Sequence, residues 1–135
     1  LEWLNHLKIM LDNDLKEYPK MVVLGDFNIA PSDEDIHDPD EWKDKILCSD
    51  QERSALEEIL SLGFHDSFRL FEKGSGFHSW WDYRAAAYRR GLGLRIDLLL
   101  ASDELKSACK KGYIDEKPRG LEKPSDHTPV VIEIS

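Results

Sequence analysis

Only two cysteines, Cys48 and Cys109, occur in this chain of 135 residues, far apart and without a C-x-x-C pairing. That pattern offers no structural zinc site and no disulfide framework; it fits reduced, partly buried thiols in a cytosolic protein. Long hydrophobic runs are missing too. Nothing approaches the ~18–20 apolar residues that cross a bilayer, so a membrane helix is excluded. The opening stretch LEWLNHLKIMLDNDLKEYPK is amphipathic and acidic, unlike a secretory signal, and its first residue is not Met, as in a piece of a longer chain. Neither a P-loop nor a G-x-S-x-G elbow is present, which sets aside P-loop nucleotide hydrolysis and the α/β-hydrolase triad. No internal repeat, low-complexity tract or linker interrupts the chain. Positive charge is scarce at the start: residues 1–62 hold 6 Lys and Arg against 16 Asp and Glu.

The net charge of -9 argues against a nucleic-acid partner, but its distribution does not. Residues 63–135 carry 12 basic and 11 acidic side chains, and RAAAYRRGLGLR (84–95) has four arginines with no acid. A local basic stripe of this kind can hold a phosphate backbone; as a bare composition it reads first as a solvated surface.

The length suits one domain with a modest core. Leu4, Leu7, Leu11 and Leu15 recur at helical spacing and predict a helix over 1–18. MVVL (21–24) reads as a short, fully buried strand, and 31–50 as a long acidic loop with a helical turn. Ser49 and Glu52 form a potential capping box for a helix that runs to about Leu62 and stops at Gly63. Strands are expected at 64–68, 77–81, 94–101, 111–116 and 128–134, with a short helical turn opened by Ser102. Helices interspersed with strands predict an α/β layered domain.

Three groups of polar residues stand where apolar strands should end or run. Asp26 and Asn28 follow MVVL in GDFNIAPSDEDI. Asp97 interrupts LRIDLLLA, where a period of two places Arg95, Asp97 and Leu99 on one face. A carboxylate there needs a partner. Arg95 is the structural choice; a histidine, oriented and made more basic by the acid, is the functional one. Asp126 and His127 supply such a histidine, directly before the last strand. All three groups are expected on neighbouring strands of one sheet. Carboxylates, an amide and a histidine suit a hard divalent ion and phosphate chemistry.

Other signals are weaker. DEDIHDPDE lacks the glycine and the closing glutamate of a calcium loop. His6, His37, His65 and His78 have no partner that spacing suggests. On a strand at 77–81, Trp80 and Trp81 face opposite ways, so one belongs to the core and the other is available for stacking near Arg84, Arg89 and Arg90.

GDFNIAPSDEDI, SWWDYR, GLRIDLLLAS and EKPSDHTPV, in this order, resemble the C-terminal half of the exonuclease III family, within the endonuclease/exonuclease/phosphatase (DNase I-like) superfamily. The resemblance runs from about Val22 to Ile134. It implies that residues 1–135 form a single partial domain, the C-terminal half of a four-layered α/β/β/α sandwich. The family's metal-binding glutamate, an active-site tyrosine and an early asparagine belong to an N-terminal half without a counterpart here. By the same resemblance the parent protein is a cytoplasmic DNA-repair phosphodiesterase: a 3′-to-5′ exonuclease on duplex DNA and an abasic-site endonuclease, using Mg2+ or Mn2+. Asp26, Asn28, Asp97 and His127 take catalytic roles, and Asp26, Asn28 and Asp126 hold the metal. Trp80, Arg84 and Arg90 contact the substrate. The alternatives are a phosphoinositide or nucleotide phosphatase of the same superfamily, and a non-catalytic fragment with weak DNA binding. The isolated chain is expected to be inactive and to self-associate as a homodimer through its uncovered sheet face.

Overall fold

A computed structural model of the protein describes residues 2–135. The leucine stripe forms helix α1 (Glu2–Glu17), so the expected start at Leu1 lies outside the described residues. Helix α3 (Asp50–Leu60) follows a four-residue helix α2 (Pro39–Trp42). Its start is as expected: Ser49 Oγ accepts the Glu52 N–H at 3.2 Å, and the Glu52 carboxylate returns to cap the first turn. Gly63, at φ +119°, ends the helical segment by entering a backbone region that side chains disfavour.

Strands β1 (Val22–Asp26), β5 (Asp97–Ser102) and β2 (Phe64–Asp66) form an antiparallel sheet in the order β1-β5-β2. Leu98 and Leu100 point from β5 to one side, where Leu4, Leu11, Leu56 and Ile59 of α1 and α3 close the main core with Phe27, Ile29 and Phe64. The alternate residues of β5 point the other way. Register places Leu99 opposite Leu24 and Asp97 opposite Asp26.

Two ribbons complete the fold. One pairs β3 (Trp80–Trp81) with β4 (Gly93–Leu94), and the other pairs β6 (Cys109–Ile114) with β7 (Val130–Ile134). A four-residue helix α4 (Asp103–Lys106) joins β5 to β6. Gly93 is required where it stands, since a Cβ there would lie 2.5 Å from Trp81 Nε1.

Several expectations need correction. MVVL is not fully buried: β1 is an edge strand, and Leu24 is 68% exposed on the face away from the helices. The strands expected at 64–68 and 77–81 shorten to β2 and β3, because a 3₁₀ turn takes over at Ser67–Leu70 and the other run pairs only at its end. LRIDLLLA is two strands, not one. At Arg95 and Ile96 the backbone leaves the ladder, and its N–H groups turn to the Asp35 carbonyl (2.8 Å) and Ser79 Oγ (3.1 Å). β7 is not in the sheet of β1 and β5 but in its own ribbon. His65 and His37 do have partners: His65 Nε2 meets Asp103, and His37 Nδ1 meets the Gly93 carbonyl. Both cysteines are free and buried, and burial pushes the Cys48 thiol up to about 11, which keeps it unreactive.

Candidate active site

The end of β1 explains its own sequence. Gly25 takes φ +146° and Asn28 φ +53°, two left-handed positions that bracket Asp26. The Asp26 carboxylate then accepts the Asn28 N–H at 2.8 Å. This local turn exposes both side chains at the sheet end. Directly opposite in register, β5 begins with Asp97, half-buried.

His127 arrives from the other ribbon. An isolated bridge between Trp80 and His127 ties its loop to β3. Its Nδ1 lies 2.8 Å from Asp97 Oδ2, and its Nε2 lies 3.6 Å from Asp26 Oδ2. The first distance is a hydrogen bond; the second is beyond one but within Coulombic reach. Nδ1–H donation to Asp97 fixes the ring, so Nε2 faces the open side beside Asp26.

Charge follows from placement. Burial pulls the His127 imidazole down, but the hydrogen bond to Asp97 and the charges of Asp97, Asp26 and Asp126 outweigh it, so His127 titrates above its usual range. Burial raises the Asp97 carboxyl, aided by the negative charge of Asp26 and opposed by hydrogen bonds from His127 and Ser79. The result is a protonatable imidazole held between two carboxylates.

Ser79 gave no signal in the sequence, yet it joins the parts. It is fully buried, and its hydroxyl accepts the backbone N–H groups of Ile96 and Asp97, both at 3.1 Å. Its carbonyl accepts the N–H of Thr128, next to His127, at 2.9 Å. One residue therefore fixes where both members of the pair leave their strands.

The remaining expected residues are distributed around this centre. Asp126 Oδ2 accepts Trp80 Nε1–H at 3.0 Å, which fixes the half-buried Trp80, while Trp81 is core. Arg84 is exposed and paired with Asp82 at 2.7 Å; Arg89 and Arg90 are exposed. Arg95 is not the partner of Asp97. Its guanidinium is completely buried and bound to Asp35 and Asp66, because the break after Leu94 turns it to the opposite side.

A metal ion fits the centre by donor chemistry. Asp26, Asp97 and His127 can each offer one ligand atom, all within 4.8 Å of one another. Oxygen-rich donors with one imidazole suit a hard divalent cation. An open groove of about 210 Å³ runs alongside, lined by Leu24, Asp26, Asp97, Thr128 and Val130 among others.

A family model described as the Endonuclease/Exonuclease/phosphatase family matches residues 10–127. This chain belongs to that family. Within the family, it is 36% identical over 130 residues to an exodeoxyribonuclease of Bacillus subtilis, covering 96% of this chain and 49% of that protein. It is 38% identical over 128 residues to exodeoxyribonuclease III of Haemophilus influenzae, covering 87% of this chain and 48% of that one. Among solved structures, the 3′ phosphatase NExo from Neisseria, bound to a product DNA hairpin, superposes with a TM-score of 0.96 at 42% identity. That superposition covers 99% of this chain and 52% of the neighbour. An AP endonuclease from Archaeoglobus fulgidus superposes at 0.91 and 37% identity, with 98% and 52% covered. The family member thus has an exonuclease III-like, DNase I-like α/β fold and spans about half the length of the curated relatives it matches.

Proposed function

We propose that this chain is the C-terminal half of a metal-dependent DNA-repair hydrolase, which trims 3′ ends of duplex DNA and cuts at abasic sites. The observation that carries this reading is the Asp97–His127 pair at 2.8 Å with Nε2 aimed past Asp26. Its relatives are named as exodeoxyribonucleases and an AP endonuclease, and the neighbouring 3′ phosphatase holds a DNA product.

Each residue has a task that its position allows. His127, protonated and fixed by Asp97, donates from Nε2 to a non-bridging phosphate oxygen. Asp26, exposed at the strand end, exchanges a proton with the attacking water or the leaving oxygen. Asn28 presents its amide to the developing charge. Trp80, steadied by Asp126, contacts the sugar of the reacting nucleotide, and Arg84 and Arg90 meet flanking phosphates. Because a protonated His127 has no nitrogen free to ligate, a magnesium or manganese ion would be held by Asp26 with Asn28 and Asp126, not by the Asp26–Asp97–His127 cluster. When bound, such an ion supplies Lewis-acid stabilisation of the phosphate. The groove beside Leu24 is where the other half of the enzyme would join; in the isolated chain the same uncovered face would drive self-association.

The test is Asp26→Asn in the complete enzyme. Turnover of abasic duplex should fall ~10²–10⁴-fold with folding intact. Near-normal turnover at saturating magnesium would remove Asp26 from the chemistry. Turnover of inositol phosphates instead of DNA would move the enzyme to the phosphatase branch.

A further inference from the structure

Arg119 is a buried cation without a counter-charge among the described residues. It sits in the turn Lys117–Gly120 and is 7% exposed. Three aromatic rings surround its guanidinium, with Cζ 5.9 Å from the centroid of Trp81, 5.6 Å from Tyr83 and 4.9 Å from Tyr88. The one side-chain hydrogen bond of Arg119 among the described residues runs from Nη2 to the Trp81 carbonyl at 3.5 Å, and the buried Nε–H has no acceptor. No carboxylate pairs with it among the described residues, in contrast to Arg95. Aromatic faces offset part of the cost of burying a guanidinium, but an anion would offset far more.

The surroundings are shaped for one. Arg119 lines a surface cavity of about 230 Å³ together with Arg89, Tyr83, Tyr88 and Asp82. Asp82 is already paired with Arg84 at 2.7 Å, so the two together add no net charge beside the cavity. Two arginines are left facing a small aromatic-walled hollow. A guanidinium matches phosphate oxygens by paired N–H donors, and the rings exclude water around it.

The segments that hold Arg119 and this cavity continue into the active site. Trp81 follows Trp80, whose backbone bridges to His127, and the Trp81 N–H donates to the Asp126 carbonyl at 3.0 Å. Tyr83 Oη donates to the Pro124 carbonyl at 2.9 Å, which fastens this cavity to the chain just before Ser125 and Asp126. We propose that Arg119, with Arg89, forms a subsite for a backbone phosphate of the DNA strand that flanks the reacting nucleotide. The inference rests on the reading of DNA as substrate and adds a contact that this reading does not require.

The experiment uses the complete enzyme that contains this chain, a short undamaged DNA duplex, EDTA and low salt. Two-dimensional NMR follows the Arg119 Nε–H resonance, which burial should protect from exchange. The duplex should shift it, and Arg89→Gln, an exposed change with unaltered melting, should lower the slope of log affinity against log salt by about 0.9. An Arg119 resonance that stays put while His127 and Trp80 respond would overturn the subsite and leave the substrate reading standing. No response anywhere would remove both. An equal shift with inorganic phosphate alone would make this a free-anion site and not a DNA contact.

Discussion

Asp35 and Asp66 close around Arg95 and Arg69, whereas Asp26 and Asp97 close around His127 alone, and the two clusters differ in how much bonding capacity is used. In the first, Asp35 Oδ1 accepts Arg95 Nε–H and an Arg69 Nη2–H, both at 2.6 Å, and its other oxygen accepts from Ser32. Asp66 takes both Nη groups of Arg95 in a fork. Burial works against the charge of Asp35, and the two arginines overcome it, so its carboxyl stays below the usual range. In the second cluster, Asp26 and His127 Nε2 stand 3.6 Å apart and face outward. A saturated, dry ionic knot can only hold the chain together. An exposed and unsaturated one retains capacity for a phosphate, a water or an ion.

The sharpest way to break this contrast is Arg95→Met. The buried Asp35 would keep only Arg69 and the half-buried Asp66 would lose its arginine, and stability should fall by about 3–5 kcal/mol, out of the roughly 5–15 typical of a domain. Asp26→Asn should change stability by less than about 0.5 kcal/mol, as at an exposed position. Urea unfolding followed by circular dichroism compares the two. Similar losses in both would mean that the Asp26–Asp97–His127 cluster is also a structural one.

His78 sharpens the comparison through pH. Burial, with the charge of His37, lowers its imidazole to about 4, against an opposing pull from Asp35. The folded state therefore resists a proton that the unfolded chain accepts at about 6.5. Its contribution is complete above that pH and is lost as pH falls towards 4, on the order of 3 kcal/mol in all. His127 has the opposite sign: its contribution is complete below about 6.5 and fades at higher pH. Unfolding curves between pH 4 and 7 should be flatter in His78→Leu, and an unchanged slope would show that His78 is not the acid-labile group.

Ser79→Ala should cost less than Arg95→Met and more than Asp26→Asn. The buried N–H of Ile96 and the half-buried N–H of Asp97 lose their acceptor, at ~1–3 kcal/mol. Ser79→Thr keeps the hydroxyl and should keep the stability, measured by thermal melting. An alanine variant as stable as the parent would show that the β5 entry is held without it.

Legibility in the sequence differed between these regions for a physical reason. Asp26, Asn28, Asp97 and His127 were visible because polar residues at the ends of apolar strands violate a local pattern. The α3 capping box was visible because its two partners are three residues apart. The Arg95–Asp35–Asp66 knot was hidden, because it joins residues 60 and 29 positions apart, and local spacing pointed Arg95 at Asp97 instead. Ser79 was hidden because a buried serine in HSWW breaks no rule of composition or period.

By itself, then, the sequence determined which elements form and which polar residues needed an explanation, since periodicity, capping and turn chemistry act within a few residues of chain. Only the tertiary structure decided that LRIDLLLA splits after Leu94, that Arg95 turns into a saturated knot and that Asp97 turns to His127. Those choices depend on where distant segments deliver a carboxylate, a hydroxyl or a carbonyl, because a buried charge or N–H group is stable only beside its partner.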